Sequence, residues 1–153
     1  MALAQPSSET SNSRVLIVDD EQVARFILGK WLRIWNVQAT FCSDASSALK
    51  EFKSREYSLA IVDYYLPDNN GIELIKQMRE CIGPQPTFAL HSTDLELHHL
   101  ARQSDVTYFL PKPFSNGALY NILRESSCYP KAYDKESAEP KVDELPVYPR
   151  FTV

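Results

Sequence analysis

The sequence predicts a doubly wound α/β domain built on one five-stranded parallel sheet. Five short apolar segments lie between residues 15 and 110, and segments with helical periodicity separate them. Two of these strand segments, VLIV and LAIV, are apolar at every position. Continuously apolar strands that alternate with helices indicate a parallel sheet covered on both faces. Right-handed crossovers between such strands produce a doubly wound sandwich.

The first half of the predicted domain holds two strands and two helices. Its first strand, VLIV (15–18), ends in two aspartates. The helix after it carries apolar residues at helical spacing, namely Val23, Ile27, Trp31 and Ile34. VQATFC (37–42) alternates with period two, as expected of a half-exposed edge strand. Ser43 or Asp44 can cap the second helix, whose apolar residues are Ala45, Ala48, Leu49 and Phe52.

The second half holds three strands and three helices. LAIV (59–62) is the third strand, and Gly71 opens a helix with Ile72, Ile75 and Met78 on one side. PTFAL (86–90) and VTYFL (106–110) are the fourth and fifth strands. A weaker helix lies between them, marked by Leu97, Leu100 and Ala101. Ser115 can cap the last helix, which directs Leu119, Ile122 and Leu123 inward.

Length and composition limit the functional classes. The chain has 153 residues, enough for one domain with a single core. Its net charge of -4 gives no electrostatic support to nucleic-acid binding. Three widely spaced cysteines without a CxxC pair predict neither a zinc site nor a disulfide framework. We therefore expect free thiols in a reducing compartment.

We place the folded domain at residues 14–126. Residues 1–13 are rich in Ser, Thr, Asn and Gln and are predicted to be disordered. Residues 127–153 mix prolines with charges of both signs and are predicted to form a flexible tail. Apolar residues in that tail could dock on a surface, namely Leu145, Val147, Tyr148 and Phe151. Neither a membrane-spanning stretch nor a signal peptide is recognisable, so we expect a cytoplasmic protein without a membrane partner.

Charged residues follow three of the predicted strands. Strand one ends in Asp19 and Asp20, and strand three ends in Asp63. Strand five is followed by Lys112. The carboxyl ends of parallel strands share one edge, where such sheets bind ligands. Three converging carboxylates repel one another unless a cation joins them, and oxygen ligands suit Mg²⁺. Because aspartate can attack phosphorus, and a metal and a lysine neutralise the transferring group, this cluster indicates phosphoryl transfer.

The same residues resemble the receiver domains of two-component response regulators. VLIVDDE resembles the family's acidic pair after strand one. Residues 63–71 are similar to the family pattern D-x-x-[LM]-P-x-x-[DN]-G throughout. Residues 112–114 resemble K-P-[FL], in which the peptide before proline is commonly cis. The resemblance covers about residues 14–126 and implies a flavodoxin-like receiver fold with strand order 2-1-3-4-5.

The resemblance also implies roles for the charged residues. Asp63 would accept a phosphoryl group from a histidine kinase or a histidine phosphotransfer protein. Asp20 and Asp63 would bind Mg²⁺ directly, and Asp19 would bind it through water. The backbone carbonyl of Tyr65 would complete the protein ligands. Lys112 would contact the phosphoryl oxygens.

One position departs from the family pattern at the end of strand four. The family has Ser or Thr there, usually followed by Ala, whereas the stretch PTFALHSTD aligns His91 and Ser92 with those positions. Either His91 replaces the hydroxyl, or the loop is shifted and Ser92 or Thr93 supplies it. We favour His91, because the strand pattern continues to Leu90. Such a histidine could donate a hydrogen bond to phosphate, with a charge that depends on pH near neutrality.

Three smaller departures concern neighbouring positions. Phe109 occupies the aromatic switch position of the family without a hydroxyl group. Tyr65, two residues after the phosphoacceptor, is bulky and could shield the site from water. Asp105 replaces a glycine that is common before strand five. An aspartyl-phosphate phosphatase of similar fold would need a second aspartate where Tyr65 stands, so we expect a phosphoacceptor and not an enzyme.

We therefore predict a receiver that signals through protein–protein contacts. The resemblance favours helix four, strand five and helix five, about residues 95–125, as the surface for a downstream protein. Residues 127–153 are too few for a DNA-binding output domain, so we expect no direct contact with nucleic acid. A receiver within a longer hybrid kinase fits the domain equally well. The alternative is a pseudo-receiver, an interaction module that phosphorylation does not switch, and His91 is its best support.

Overall fold

A computed structural model describes residues 13–128, so the predicted tails lie outside the described residues except at their innermost positions. The strands are β1 Arg14–Val18, β2 Gln38–Cys42, β3 Leu59–Asp63, β4 Thr87–Ser92 and β5 Tyr108–Pro111. The helices are α1 Gln22–Ile34, α2 Ala45–Ser54, α3 Gly71–Arg79, α4 Leu97–Gln103 and α5 Asn116–Glu125. All strand pairs are parallel and the order is β2-β1-β3-β4-β5, which confirms the predicted fold. Within residues 13–128, no helix has the length and apolar character needed to cross a membrane.

The sheet lies between two helical layers. One apolar cluster joins the sheet to α1 and α5, and another joins it to α2, α3 and α4. Successive residues of a strand point to opposite faces, so alternate residues of each strand enter the two clusters. β3 lies between β1 and β4 and is buried at all five positions. Coverage on both faces is the reason that its sequence is apolar without alternation.

Helix α1 buries a different side from the one that its most regular apolar stripe suggests. Its buried residues are Leu28 and Leu32, followed by Trp35 just after the helix. Of the four residues that mark the helix in the sequence, Val23, Ile27 and Ile34 are exposed, whereas Trp31 is half-buried against the cluster. α1 is therefore apolar on two sides, and only one side packs on the sheet.

Side chains cap the first turns of three helices. The Asp44 carboxylate accepts a hydrogen bond from Ser47 N at 2.7 Å and so, of the two predicted candidates, is the cap of α2. Asn70 caps α3 in the same way, and Ser115 caps α5 as predicted. Each cap satisfies a backbone N–H that has no partner within the helix, so these helices begin at defined residues.

Three helices end in the same backbone motif without a glycine. The residues with positive φ are Asn36, Asp105 and Ser127. In each motif, the next residue donates its backbone N–H five residues back, as in a Schellman turn. Those next residues are all buried, namely Val37, Val106 and Cys128. The packed unit therefore continues to Cys128, two residues past the predicted boundary at 126.

Asp105 occupies a conformation that suits glycine better. Its φ is 57°, where a side chain crowds its own backbone. We expect Asp105→Gly to raise the free energy of unfolding by about 0.5–1 kcal/mol, measured by urea denaturation. The neighbouring variant Ser104→Gly is the control: its φ is −97°, so glycine there only adds freedom to the unfolded chain and lowers stability. Equal effects of the two variants would contradict the conformational explanation.

Candidate functional site

The carboxyl ends of β1, β3, β4 and β5 form one edge of the sheet, and the predicted site lies there. Asp19 follows β1 by one residue, and Asp63 is the last residue of β3. Asp63 pairs in register with His91 of β4. Asp19 and Asp63 each lie two residues beyond an isoleucine of the α1/α5 cluster, and His91 lies two residues beyond an alanine of that cluster. Alternation along the strands therefore directs all three side chains toward the same face of the sheet.

Three carboxylates converge at this edge. Oxygens of Asp19, Asp20 and Asp63 all lie within 4.8 Å of one another. Asp19 and Asp63 are buried, whereas Asp20 is exposed. An oxygen-only donor set that is open to solvent on one side fits Mg²⁺, which keeps several of its waters. The residues present therefore fit a divalent cation.

The backbone carbonyl of Tyr65 is the remaining predicted ligand. Tyr65 and Asn70 form an isolated antiparallel bridge at the base of the β3–α3 turn. The hydrogen bonds around this bridge go to the carbonyls of Tyr64 and Asn69. They do not involve the Tyr65 carbonyl, which therefore remains compatible with a ligand role.

Lys112 reaches into the acidic cluster from the loop after β5. Its Nζ lies 2.9 Å from Asp19 Oδ2 and 3.0 Å from Asp63 Oδ2. Glu21 Oε1 is a third partner at 3.6 Å. Burial alone would lower the pKa of Lys112, but the Asp19 and Asp63 carboxylates outweigh burial and raise it. The ammonium group is therefore charged. The Lys112–Pro113 peptide is cis, as the resemblance implies.

Asp63 is held in an environment that disfavours its charge. Burial is the main cause, and it raises the pKa of Asp63 from 3.8 to about 6. The Lys112 ammonium opposes this rise, and the Asp19 carboxylate adds to it. The cluster thus carries more negative charge than the single lysine balances, which is the condition that a bound cation would relieve.

His91 lies inside the site and not on its rim. Its side chain is 1% exposed, and Nδ1 is 3.7 Å from Asp19 Oδ2. Neither ring nitrogen has a hydrogen-bond partner among the described residues. Burial is the main reason that the pKa of His91 falls to about 3, and the Lys112 charge lowers it further. The expectation of a charge that changes near neutrality is therefore wrong: the buried imidazole is neutral there and carries one N–H donor.

Ser92 and Thr93, the two hydroxyl residues that follow His91, have surroundings different from those of His91. Ser92 is buried, and its Oγ accepts a hydrogen bond from Asp94 N at 3.2 Å. This bond ties Ser92 to the β4–α4 loop, and Thr93 is exposed.

Phe109, the residue at the predicted aromatic switch position, is buried on the opposite face of the sheet. Its ring contacts His98 there at a centroid distance of 5.5 Å.

The β3–α3 turn packs closely against the backbone of Asp63. Gly71 N donates to the Tyr64 carbonyl at 2.8 Å, which closes the turn. A Cβ atom on Gly71 would lie 2.3 Å from the Asp63 carbonyl oxygen, so the helix approaches the strand as only glycine allows. Asp68 in the same turn accepts hydrogen bonds from Ala45 N and Ser46 N, at 2.8 and 3.0 Å. The turn and the first residues of α2 are therefore fixed together.

Sequence reasoning missed four members of this region. Glu21 contacts Lys112, and the Arg25 guanidinium donates to the Asp19 carbonyl at 2.6 Å. Asp68 and Asp94 hold neighbouring loops, the latter by accepting from Tyr65 Oη at 3.3 Å. Glu21 had a readable signal, because it extends the acidic run of VLIVDDE. The others depend on loop geometry that periodicity does not describe.

A family model described as the response regulator receiver domain matches residues 15–124, which is more than half of the chain. The chain belongs to this family. Receiver domains work with histidine kinases or phosphotransfer proteins in two-component signalling, and they usually bind Mg²⁺ at an acidic site.

Similar proteins include regulators and kinases. This receiver is 30% identical over 139 residues to the alkaline phosphatase synthesis transcriptional regulatory protein PhoP of Bacillus subtilis, covering 88% of this chain and 56% of PhoP. It is 28% identical over 121 residues to the peroxide stress-activated histidine kinase mak3 of Schizosaccharomyces pombe, covering 72% of this chain and 5% of the kinase. The receiver thus spans less than two thirds of the length of either relative.

Solved structures agree with this assignment. A CheY-like response regulator receiver domain from Methylobacillus flagellatus is 26% identical, with a TM-score of 0.68. The match covers 74% of this chain and 98% of that one. A signal receiver domain of an HD domain-containing protein from Pseudomonas fluorescens matches with the same TM-score and identity, over 85% of its length.

Proposed function

We propose that this receiver accepts a phosphoryl group on Asp63 from a histidine kinase or a histidine phosphotransfer protein. One observation carries the proposal: the Asp63 carboxylate is 3.0 Å from the Lys112 ammonium within a cluster of three carboxylates that fits Mg²⁺. We propose that it acts in the cytoplasm as a phosphoacceptor and not as an enzyme, with no direct contact with nucleic acid. A downstream protein would bind the surface of α4, β5 and α5.

In the proposed reaction, a carboxylate oxygen of Asp63 attacks the phosphorus of a phosphohistidine. The P–O bond forms as the P–N bond breaks, and the donor imidazole leaves with the bonding electron pair. Asp20, Asp63 and the Tyr65 carbonyl would hold Mg²⁺ directly, with Asp19 acting through water, and the ion would neutralise charge on the transferring group. Lys112 would exchange its contact with Asp63 for a phosphoryl oxygen. The neutral His91 ring would donate its single N–H to another.

Binding of a phosphoryl mimic tests this proposal. We expect Mg²⁺ with beryllium fluoride to shift the backbone amide resonances of Asp63, Tyr65 and His91, and we expect neither component alone to reproduce the full change. The intact cluster of Asp19, Asp20 and Asp63, with Lys112 beside it, favours this outcome over the pseudo-receiver alternative. If the full mixture leaves these three resonances unmoved, the proposed phosphoacceptor function is wrong.

His91→Thr should strengthen the switch. A threonine hydroxyl is smaller than an imidazole and can follow the phosphoryl group inward, so it can transmit a larger displacement to α4 and β5. We expect coupling between mimic binding and the α4–β5–α5 surface to rise by about 1 kcal/mol, equal to about fivefold. The measurement compares mimic affinity with chemical-shift changes over residues 95–125 in both proteins.

Ser92→Ala is the matched control for this prediction. The Ser92 hydroxyl holds the β4–α4 loop through Asp94 N, so its removal should leave the shift pattern at the phosphoryl mimic unchanged. If Ser92→Ala abolishes switching while His91→Thr has no effect, the hydroxyl at Ser92 meets the phosphoryl group. The assignment of His91 to that position would then be rejected.

A further inference from the structure

The outer side of α1 forms an apolar surface next to the edge strand β2. Nine large hydrophobic side chains are exposed among residues 13–128, and five of them lie here. These five are Val23, Phe26, Ile27, Ile34 and Phe41. Phe26 alone is 72% exposed. Single exposed apolar residues are ordinary, but Phe26, Ile34 and Phe41 line one groove, and such a group indicates a surface that something covers.

A groove runs along this surface with a volume of about 490 Å³. We call it the α1 groove, and it is lined chiefly by Arg25, Phe26, Lys30, Arg33, Ile34 and Phe41. Gly29 shapes its floor, because a Cβ atom there would lie 3.1 Å from Cζ of Phe41. The aromatic ring of Phe41 can therefore lie across the helix. The groove has two aromatic walls and an aliphatic end.

The charge of the α1 groove is of one sign. Arg25, Lys30 and Arg33 line it, and none of the lining residues within the described part of the chain is acidic. The Arg25 guanidinium is occupied by the Asp19 carbonyl, whereas Lys30 and Arg33 are exposed. A complementary ligand therefore combines apolar side chains with negative charge.

We propose that residues 143–151 of this chain, DELPVYPRF, bind in the α1 groove. Asp143 and Glu144 provide negative charge at the start of the segment, and Arg150 near its end leaves a net charge of −1. The apolar residues that follow are Leu145, Val147, Tyr148 and Phe151. Pro146 and Pro149 favour an extended polyproline conformation, which suits aromatic-lined grooves because little conformational entropy remains to be lost. The segment lies outside the described residues. Its apolar side chains match the apolar residues that line the groove, and its acidic residues match the basic ones.

The chain between the domain and this segment is long enough to reach the groove. Cys128 is buried in the same apolar cluster as Leu28 and Leu32 of α1. Residues 129–142 follow it, and an extended chain of that length spans about 45 Å. A domain of about 110 residues has a radius of gyration of about 13 Å, so the linker can pass around it. Tethering replaces a bimolecular encounter with a local one, which favours binding at any protein concentration.

Nuclear Overhauser effects in the full-length protein test this proposal. We expect cross-peaks between the ring protons of Tyr148 or Phe151 and the methyl groups of Ile34, which lines the groove. These cross-peaks should persist unchanged on dilution, because the contact is within one molecule. Phe26→Ser should remove them, and so should Val147→Ser in the tail. Ile82→Ser is the control, since Ile82 is a fully exposed apolar residue outside the groove.

Charge reversal provides a second, independent arm. Arg33→Glu should weaken the cross-peaks, and Glu144→Arg should weaken them as well. The two substitutions together should restore them, whereas Arg33→Glu combined with Glu139→Arg should not. Arg33 is exposed, so these variants should keep the fold.

Three outcomes would overturn the proposal. The first is the absence of any tail-to-α1 cross-peak in the full-length protein. The second is cross-peaks only between differently labelled molecules, which would assign the α1 groove to a second copy. The third is cross-peaks to the Ile82 methyl group that Ile82→Ser removes, which would place the tail in the separate groove between the C-terminal ends of α2 and α3.

Discussion

We expect the Asp63→Asn variant to take up no phosphoryl group while it keeps its fold. The amide is isosteric with the carboxylate but is a poor nucleophile toward phosphorus, and it removes one anionic ligand of the proposed cation site. Phosphoryl uptake from a phosphorylated donor, measured with labelled phosphate, should fall to background. Residual uptake at the rate of the unchanged protein would mean that another residue is the acceptor.

Asp20→Asn separates the loss of the nucleophile from the loss of a metal ligand. Asp20 belongs to the carboxylate cluster but is exposed and makes no contact with Lys112 among the described ion pairs. We expect Asp20→Asn to slow phosphoryl uptake at low Mg²⁺ concentration. The rate of uptake should recover in part at high Mg²⁺ concentration. Asp63→Asn should not recover at any concentration of Mg²⁺.

The same Asp63→Asn variant should be more stable than the unchanged protein in the presence of a chelator. Because burial raises the pKa of Asp63 to about 6, the folded state binds this proton more tightly than the unfolded state does. Ionisation of Asp63 therefore lowers stability as pH rises through about 6, and asparagine avoids that loss. After allowance for solvent screening and for the lost contact with Lys112, we expect a gain of about 1 kcal/mol at neutral pH.

This gain has a defined pH dependence. Below the ordinary pKa of 3.8, Asp63 is protonated in both the folded and the unfolded state, so the two proteins should converge in stability. Urea denaturation across this range, at constant ionic strength, measures the difference. A gain that is constant from acidic to neutral pH would show that the charge of Asp63 is not its cause.

The second large effect is expected at Gly71. A Cβ atom there would lie 2.3 Å from the Asp63 carbonyl oxygen and 3.0 Å from its carbonyl carbon, and neither backbone atom can rotate away. We expect Gly71→Ala to lower the free energy of unfolding by about 3 kcal/mol. The displaced backbone should also move the Asp63 carboxylate away from Lys112 and slow phosphoryl uptake.

Gly29→Ala is the matched control for Gly71→Ala. The atom nearest to its added methyl group is Cζ of Phe41, at the end of an exposed side chain that can turn aside. Alanine is also the better helix former by about 1 kcal/mol, so Gly29→Ala should be neutral or stabilising. Similar losses from both variants would contradict the explanation that contact with backbone decides the effect at Gly71.

The apolar pattern was sufficient to predict the sheet, because helices cover both of its faces and every central strand must therefore be apolar on both sides. It was also sufficient to predict that Asp19, Asp63 and Lys112 lie close together, since the carboxyl ends of parallel strands share an edge. For α1 the pattern located the helix but not its buried side. Both Leu28 and Ile27 lie on apolar stripes, and only packing against the sheet distinguishes them.

The environment of His91 shows a second limit of sequence reasoning. Its place at the end of β4 could be read from the run PTFALHSTD, but its depth could not. Burial, with Lys112 beside it, moves the pKa of His91 to about 3 and turns an expected pH-sensitive group into a neutral donor. Such a shift depends on how neighbouring loops close over the side chain, which the identity of one residue does not encode.

Hydrogen bonds from a neighbouring helix hold the C-terminal end of helix α4. Arg79 of α3 donates hydrogen bonds to the carbonyls of Ser104 and Asp105, just past the C-terminal end of α4. At the other end, the residue before Leu97 makes no side-chain capping hydrogen bond, and Ala101 is the one buried residue of the helix. Leu97 packs partly buried against the apolar cluster and His98 contacts Phe109 at that end, so we expect any displacement of α4 to be larger there than at the Arg79 contacts. This N-terminal end adjoins the loop after His91, so we expect a movement at the site to reach α4 there first.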